Sequence, residues 1–255
     1  MKNYFDLHDR YALVVGASSG LGAQFAKCLA NQGVHVALAA RRKDRLVSLC
    51  SAINEVSGAG SAIAVAVDVS DEESIKACVK EVYESFGRID ILVNNAGVQT
   101  AGDFLEFKTE DWDREFAINL RGMFIMSREV GKIMKEQHYG KIINTASMAG
   151  YGGGTGVIAY HSSKGGVVNF TRSLAADLAP YNVTVNAIGP GVFDSELTHD
   201  ILDSEMVKNS LKNVPLKRHG NEGELDGALI FFASDASSYC TGQILYVDGG
   251  LTSQI

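Results

Sequence analysis

The chain has 255 residues, 46% of them hydrophobic and 21% charged, with a net charge of −7. That size and apolar share suit one large α/β domain, and the acidic balance, with no basic run longer than Arg41–Lys43, excludes a nucleic-acid surface as its main business. A charged start at Met1–Arg10 and the lack of any apolar stretch of about 20 residues argue against a leader or a membrane span and imply a cytoplasmic protein.

Short apolar runs alternate with helix-length segments from end to end. Tyr11–Val15, His35–Ala40, Ile63–Val67, Ile89–Val93, Lys141–Asn144, Val183–Ile188 and Ile244–Val247 read as strands buried on both faces, being rich in Val, Ile and Ala with little polar alternation. Between the third and fourth, Ser70 and Glu73 have capping-box spacing ahead of the apolar positions Ile75, Val79 and Val82. Strand–helix alternation implies a doubly wound, seven-stranded parallel sheet of Rossmann type with helices on both faces, filling residues 1–255 as one domain. Only Val192–Gly220 lacks a strand; its mix of apolar and acidic positions fits a lid over one end of the sheet. Cys28, Cys50, Cys78 and Cys240 are far apart and read as incidental thiols, and the six histidines show no metal-ligand spacing.

In such sheets ligands bind at the carboxyl ends of the strands. The first strand runs into Gly16, Ala17, Ser18, Ser19, Gly20, Leu21 and Gly22 and then a helical pattern, the setting in which glycines admit a pyrophosphate to a helix N-terminus. Gly150–Gly156 has similar spacing but follows a polar segment instead of a strand. After the second strand come Arg41 and Arg42 where an acid would serve NAD, so NADP(H) is the expected cofactor, its 2′-phosphate met by the arginines. Asp68 and Val69 follow the third strand; the carboxylate suits an adenine amino group or a helix cap equally.

Tyr160 and Lys164 lie four apart in a helical pattern and share a face. Ser147 precedes them after the fifth strand, and Asn94, Asn95, Ala96 and Gly97 close the fourth. With Asn119 and Gly189, Pro190 and Gly191, these elements resemble the short-chain dehydrogenase/reductase family over essentially the whole chain. The resemblance implies hydride transfer between a nicotinamide cofactor and a carbonyl or secondary alcohol. It assigns Tyr160 as acid/base, Lys164 as the ammonium that stabilises its phenolate and holds the ribose, Ser147 as a donor to the substrate oxygen, and Asn119 as the holder of a relay water. It adds Phe193 and Ser195 to the cofactor contacts. Two departures are Val15, where the family usually has Thr, and Ser195, where Thr is common.

Gly165 and Gly166 interrupt the Tyr160 helix, which in the family often meets its twin, so a homodimer or homotetramer is expected. The glycines of Gly150–Gly156 leave little side-chain bulk and predict an open pocket for a bulky or ring-shaped ketone. Sugar acids, polyols, hydroxysteroids and free 3-oxo compounds all remain open. His138 and Tyr181 stand where the resemblance puts arginines that dock an acyl carrier protein, which argues against a carrier-bound substrate. The rival reading is a non-catalytic NADP(H)-sensing regulator, which retention of Asn119, Ser147, Tyr160 and Lys164 disfavours.

Overall fold

Successive side chains of a strand point to opposite faces, and β1 (Tyr11–Val15) fills both with apolar groups: Ala12 and Val14 enter one core, Leu13 and Val15 the other. A strand of this kind is stable only between two layers of helix. The computed structural model of the chain, which describes residues 3–56, 58–194, 207 and 211–254, has that arrangement. Strands β2 (His35–Ala40), β3 (Ala62–Ala66), β4 (Ile91–Asn94), β5 (Gly140–Thr145), β6 (Val183–Pro190) and β7 (Ile244–Val247) join β1 in one parallel sheet, ordered β3-β2-β1-β4-β5-β6-β7. Leu13 of β1 lies opposite Ala37 on one side and Leu92 on the other.

One face is covered by α1 (Gly20–Asn31), α2 (Lys43–Asn54) and, late in the chain, Asp226–Ala233, which bring Phe25, Leu29, Leu46 and Phe232 into a core with alternate strand residues. The other is covered by α3 (Glu72–Phe86), α5 (Gly122–Gln137) and α6 (Ile158–Leu178), with α4 (Thr109–Phe116) packed on α6; the Asp226–Ala233 helix is then α7. Here Ile75, Val82, Ile125, Met134 and Ala175 meet the strands. Burial of each such Leu, Ile or Phe contributes about 1.5–3 kcal/mol. Between α4 and α5 the helix widens into a π turn, Ala117–Arg121.

The expected capping box is replaced by its neighbour. Asp71 is the N-cap of α3, accepting the Glu73 amide at 3.0 Å, because the Ser70 hydroxyl is already donated to Asp68 Oδ1 at 2.6 Å. Sequence-based strand limits shift by one or two residues, chiefly where polar Asn94 and Thr145 and the pair Gly189–Pro190 prove to be strand. The asparagines are buried in one hydrogen-bonded chain: Asn94 donates to Ser127 at 2.9 Å and to Asn144 at 3.0 Å, Asn144 to Thr171 at 3.0 Å, and Thr171 to the Val167 carbonyl at 2.8 Å. Satisfied in this way, they cost little to bury and fix β4, β5 and α6 in register.

All four cysteines are free thiols, and burial pushes Cys28 and Cys78 up to about 12, far from thiolate reactivity. Among the described residues no helix is long and apolar enough to cross a membrane. The two ends of the Val192–Gly220 excursion are drawn together by a parallel bridge between Phe193 and Gly220. The lid expected there, and Ser195, fall largely or wholly on residues 195–206 and 208–210, outside the described residues.

Candidate active site

Strand order reverses between β1 and β4, and the crevice opens beyond their carboxyl ends. A cavity of about 450 Å³ lies there, bounded by the glycine turn, by Arg41 and Arg42, by Asp68 and Val69, by Asn95–Gly97, by Ser147, Tyr160 and Lys164, and by Pro190, Gly191 and Phe193. Gly16 has φ +79°, and a Cβ there would stand 2.7 Å from the backbone of Ala96, so only glycine fits the turn. A Cβ on Gly22 would collide with the Gly16 carbonyl, which is how α1 packs so close to β1; Gly22 itself does not reach the cavity.

Ser18, Ser19, Gly20 and Leu21 lead into α1. Ser19 is its N-cap but makes no side-chain cap bond, so the first backbone N–H groups face the cavity mouth without a side-chain acceptor. The serine hydroxyls are engaged by Arg42, whose Nη2 reaches Ser19 Oγ at 2.8 Å and Ser18 Oγ at 2.9 Å. Of the two arginines Arg42 is thereby positioned over the turn, while Arg41 is exposed and acts through its charge on Asp68. The Asp68 carboxyl sits below its usual range, held there by the Ser70 hydroxyl and amide. It closes the local turn and lines the cavity, and the helix cap is Asp71 instead.

Asn95 ties three strand ends. Its Nδ2 donates to the Gly16 carbonyl at 3.3 Å and its Oδ1 accepts from Thr145 at 3.3 Å. These bonds brace β1, β4 and β5 where Val15 lacks a hydroxyl.

On the far side β5 delivers Ser147 and α6 delivers Tyr160 and Lys164. Ser147 is within hydrogen-bonding reach of the phenol. Burial raises the Tyr160 pKa, the Ser147 bond opposes that, and the charge of Glu115 adds to it. Lys164 is buried, which pulls it down to about 8; its Nζ donates to the Thr145 carbonyl at 2.8 Å and lies 5.7 Å from the Tyr160 ring centroid. Asn119 lies behind these groups in the π turn, outside the cavity. Its Oδ1 accepts the Val98 amide at 2.8 Å, and its Nδ2 donates to the Val98 carbonyl at 2.9 Å and to Ser163 at 3.1 Å. Both amide hydrogens are thus engaged inside the protein.

The Gly150–Gly156 loop is not folded over the cavity. Gly152, Gly153 and Gly156 stand in open space, and the loop is tied to the segment after Gly97 by the Gly156 carbonyl accepting from Gly102 at 2.9 Å. His138 ends α5 in a left-handed conformation, and Tyr181 carries Lys135 over its ring at 4.8 Å, so neither position itself supplies a guanidinium. Gly166 lets Leu120 approach α6, whereas Gly165 faces open space. The sequence reasoning missed Val98, Gln99 and Ile118 on the cavity wall and buried Glu115 behind it. Flanking the Asn94–Gly97 motif was the one signal for the first two.

A family model described as enoyl-(acyl carrier protein) reductase matches residues 16–252. The chain belongs to the short-chain dehydrogenase/reductase family. It is 36% identical over 246 residues to the 3-oxoacyl-(acyl-carrier-protein) reductase FabG of Thermotoga maritima, covering 96% of this chain and 98% of the relative. Among solved structures, a gluconate 5-dehydrogenase from Burkholderia cenocepacia in complex with NADP and tartrate superposes with a TM-score of 0.94 at 34% identity, over 99% of this chain and 98% of that one. Levodione reductase superposes with a TM-score of 0.93 at 32% identity, over 97% and 99%. The protein is therefore an oxidoreductase of the short-chain type.

Proposed function

We propose that this oxidoreductase interconverts a ketone and a secondary alcohol with NADP(H), using Tyr160 as the proton donor in reduction. The reading is carried by one observation: Ser147, Tyr160 and Lys164 meet in the same cavity as the glycine turn and Arg42. That cavity suits a dinucleotide. The Gly16–Leu21 turn admits a pyrophosphate to the start of α1, which Gly22 packs close against β1. Arg42, with Arg41 beside it, supplies the cation that a 2′-phosphate requires and an NAD site would replace with an acid.

NADP(H), when bound, supplies or accepts the hydride; the protein handles the oxygen and its proton. Two donors, the Ser147 hydroxyl and the Tyr160 phenol, suit a carbonyl oxygen and have no counterpart on a carbon–carbon double bond, which favours carbonyl over enoyl reduction. A buried phenol stays protonated at neutral pH and can give its proton to a nascent alkoxide. Lys164, as an ammonium, then stabilises the phenolate left behind, and Asn119 holds the α6 turn through Ser163, whose hydroxyl donates to the Tyr160 carbonyl at 3.0 Å. The open glycine loop favours a bulky or cyclic ketone, a free 3-oxo compound or a keto sugar acid over a carrier-bound acyl chain. The working assembly in this reading is a single cytoplasmic domain that associates as a dimer or tetramer, the half-exposed Phe124 and the open Gly165 supplying the contact surface.

The test is oxidation of NADPH and of NADH over a panel of 3-oxo esters, keto sugar acids, oxo-steroids and diketones, with Tyr160→Phe as control. NADPH-linked turnover lost in the variant supports the proposal. Turnover that survives in the variant refutes the role of Tyr160, and turnover with NADH alone refutes the role of Arg42.

A further inference from the structure

Glu115 is a buried acid for which the proposed reaction has no use. It sits near the end of α4, fully shielded from solvent, one helical turn before Asn119. Its Oε1 accepts the backbone amide of Thr100, and its Oε2 has no hydrogen-bond partner. Asn119, four residues on, takes both the N–H and the C=O of Val98. Side chains four apart share a helix face, and here that face grips two alternate residues of one loop. The residue between them is Gln99, which lines the cavity that Ser147 and Tyr160 also line.

The loop needs this grip. Residues 95–103 form no strand or helix, so no ladder satisfies the backbone groups of Val98 or the amide of Thr100. Side chains from the α4–α5 helix do so instead. Burying a carboxyl with one unpartnered oxygen is costly, and a surface-facing loop seldom recruits such a group merely to close a turn.

We propose that Glu115 is a positioning residue: with Asn119 it holds Val98–Thr100 so that Gln99 stays on the cavity wall, where its carboxamide selects carbonyl substrates bearing a second hydrogen-bonding group. A carboxamide offers both donor and acceptor, so a neighbouring carbonyl or hydroxyl on the substrate is matched. This specificity deepens the ketone-reductase reading and rests on it; the brace itself does not.

The experiment compares wild type with Glu115→Ala, Glu115→Gln and Gln99→Ala, using 2,3-butanedione and 2-butanone as probes with NADPH. KM for the diketone should rise about tenfold in E115A and Q99A, the loss expected from one hydrogen bond, with kcat changed less than about twofold. E115Q should restore it, and the monoketone and the NADPH Kd should be unmoved in all three. Amide exchange of Thr100 should quicken in E115A, but not in E115Q or Q99A. Equal KM shifts for both ketones, or wild-type exchange of Thr100 in E115A, would overturn the proposal. If the wild-type protein reduces neither probe, the reductase reading fails for them, and exchange at Thr100 still decides the brace. Should E115A not fold, the isosteric E115Q and the exposed-site Q99A carry the same comparison: wild-type diketone KM in Q99A would overturn the role of Gln99.

Discussion

Replacing Arg42 by alanine should change which nicotinamide cofactor the protein prefers. The guanidinium is held over the glycine turn by Ser18, through Nε at 3.2 Å and Nη2 at 2.9 Å, and by Ser19 at 2.8 Å. A phosphate at this rim would share those hydroxyls and add a charge-assisted contact to the same group. Hydrogen bonds to a charged partner contribute about 1.5–3 kcal/mol. Because Arg42 is only half-buried, solvent screening puts the expected loss near the lower end, about 2 kcal/mol, or a roughly 30-fold fall in kcat/KM for NADPH. NADH, lacking the phosphate, should change by less than about threefold, so the preference ratio itself falls by roughly tenfold or more. Initial rates with each cofactor at saturating ketone give the ratio directly. Arg41→Ala should move it less, since that side chain is exposed. If Arg42→Ala left the ratio unaltered, the 2′-phosphate would have to be read elsewhere.

Lys164→Met should abolish turnover yet stabilise the protein without cofactor at pH 7. Burial lowers this lysine to about 8 from an unfolded value of about 10.4, which corresponds to a penalty of about 3 kcal/mol that the lost Thr145 bond offsets by about 1. The folded value lies below the unfolded one, so the penalty is complete below pH 8 and disappears as pH rises towards 10.4. Denaturant midpoints of the two proteins should therefore converge in that window; a variant less stable than wild type at pH 7 would refute the argument. In the reductive direction kcat/KM should decline above about pH 8 as the ammonium is lost, and a flat profile to pH 10 would contradict it. Asn144→Ala should destabilise by about 1–3 kcal/mol, because it strands an Asn94 amide hydrogen in a dry core, while Thr171 keeps its bond to the Val167 carbonyl; a change under about 0.5 kcal/mol in urea unfolding would show the chain to be dispensable.

Much of this fold was legible because its strands announce themselves: β1, β2 and β7 are unbroken apolar runs, and the structure returns their limits unchanged. Trouble came where polar residues are buried. Asn94 and Thr145 look like strand ends until the asparagine chain and the Lys164 contact supply their partners. The cap of α3 moved from Ser70 to Asp71 for a tertiary reason, the claim of Asp68 on the serine hydroxyl. Within the site, the Gly16–Gly22 turn and the Tyr160–Lys164 pair follow from spacing, which a helix or turn converts directly into proximity. Choosing between Arg41 and Arg42 does not, because adjacent residues differ only in where the chain aims them. Glu115 was invisible for a related cause: among Asp111, Asp113 and Arg114 it reads as one more solvated charge, and only burial sets it apart.

The π turn at Ala117–Arg121 has a consequence for how this chain tolerates length changes. An α-helix advances about 100° per residue, so one residue more or less resets the azimuth of everything downstream. A π turn absorbs one extra residue within an otherwise regular helix. Excising a single residue there would let α4 and α5 merge into an unbroken helix with all of its backbone hydrogen bonds intact. The side chains downstream would keep their azimuth, so Ile125, Met126, Val130 and Met134 would stay inside the core; what would be lost is the widened turn that presents Asn119 to the Val98 backbone. The extra residue therefore serves the loop that Asn119 holds, and the core on either side of it is indifferent to its presence.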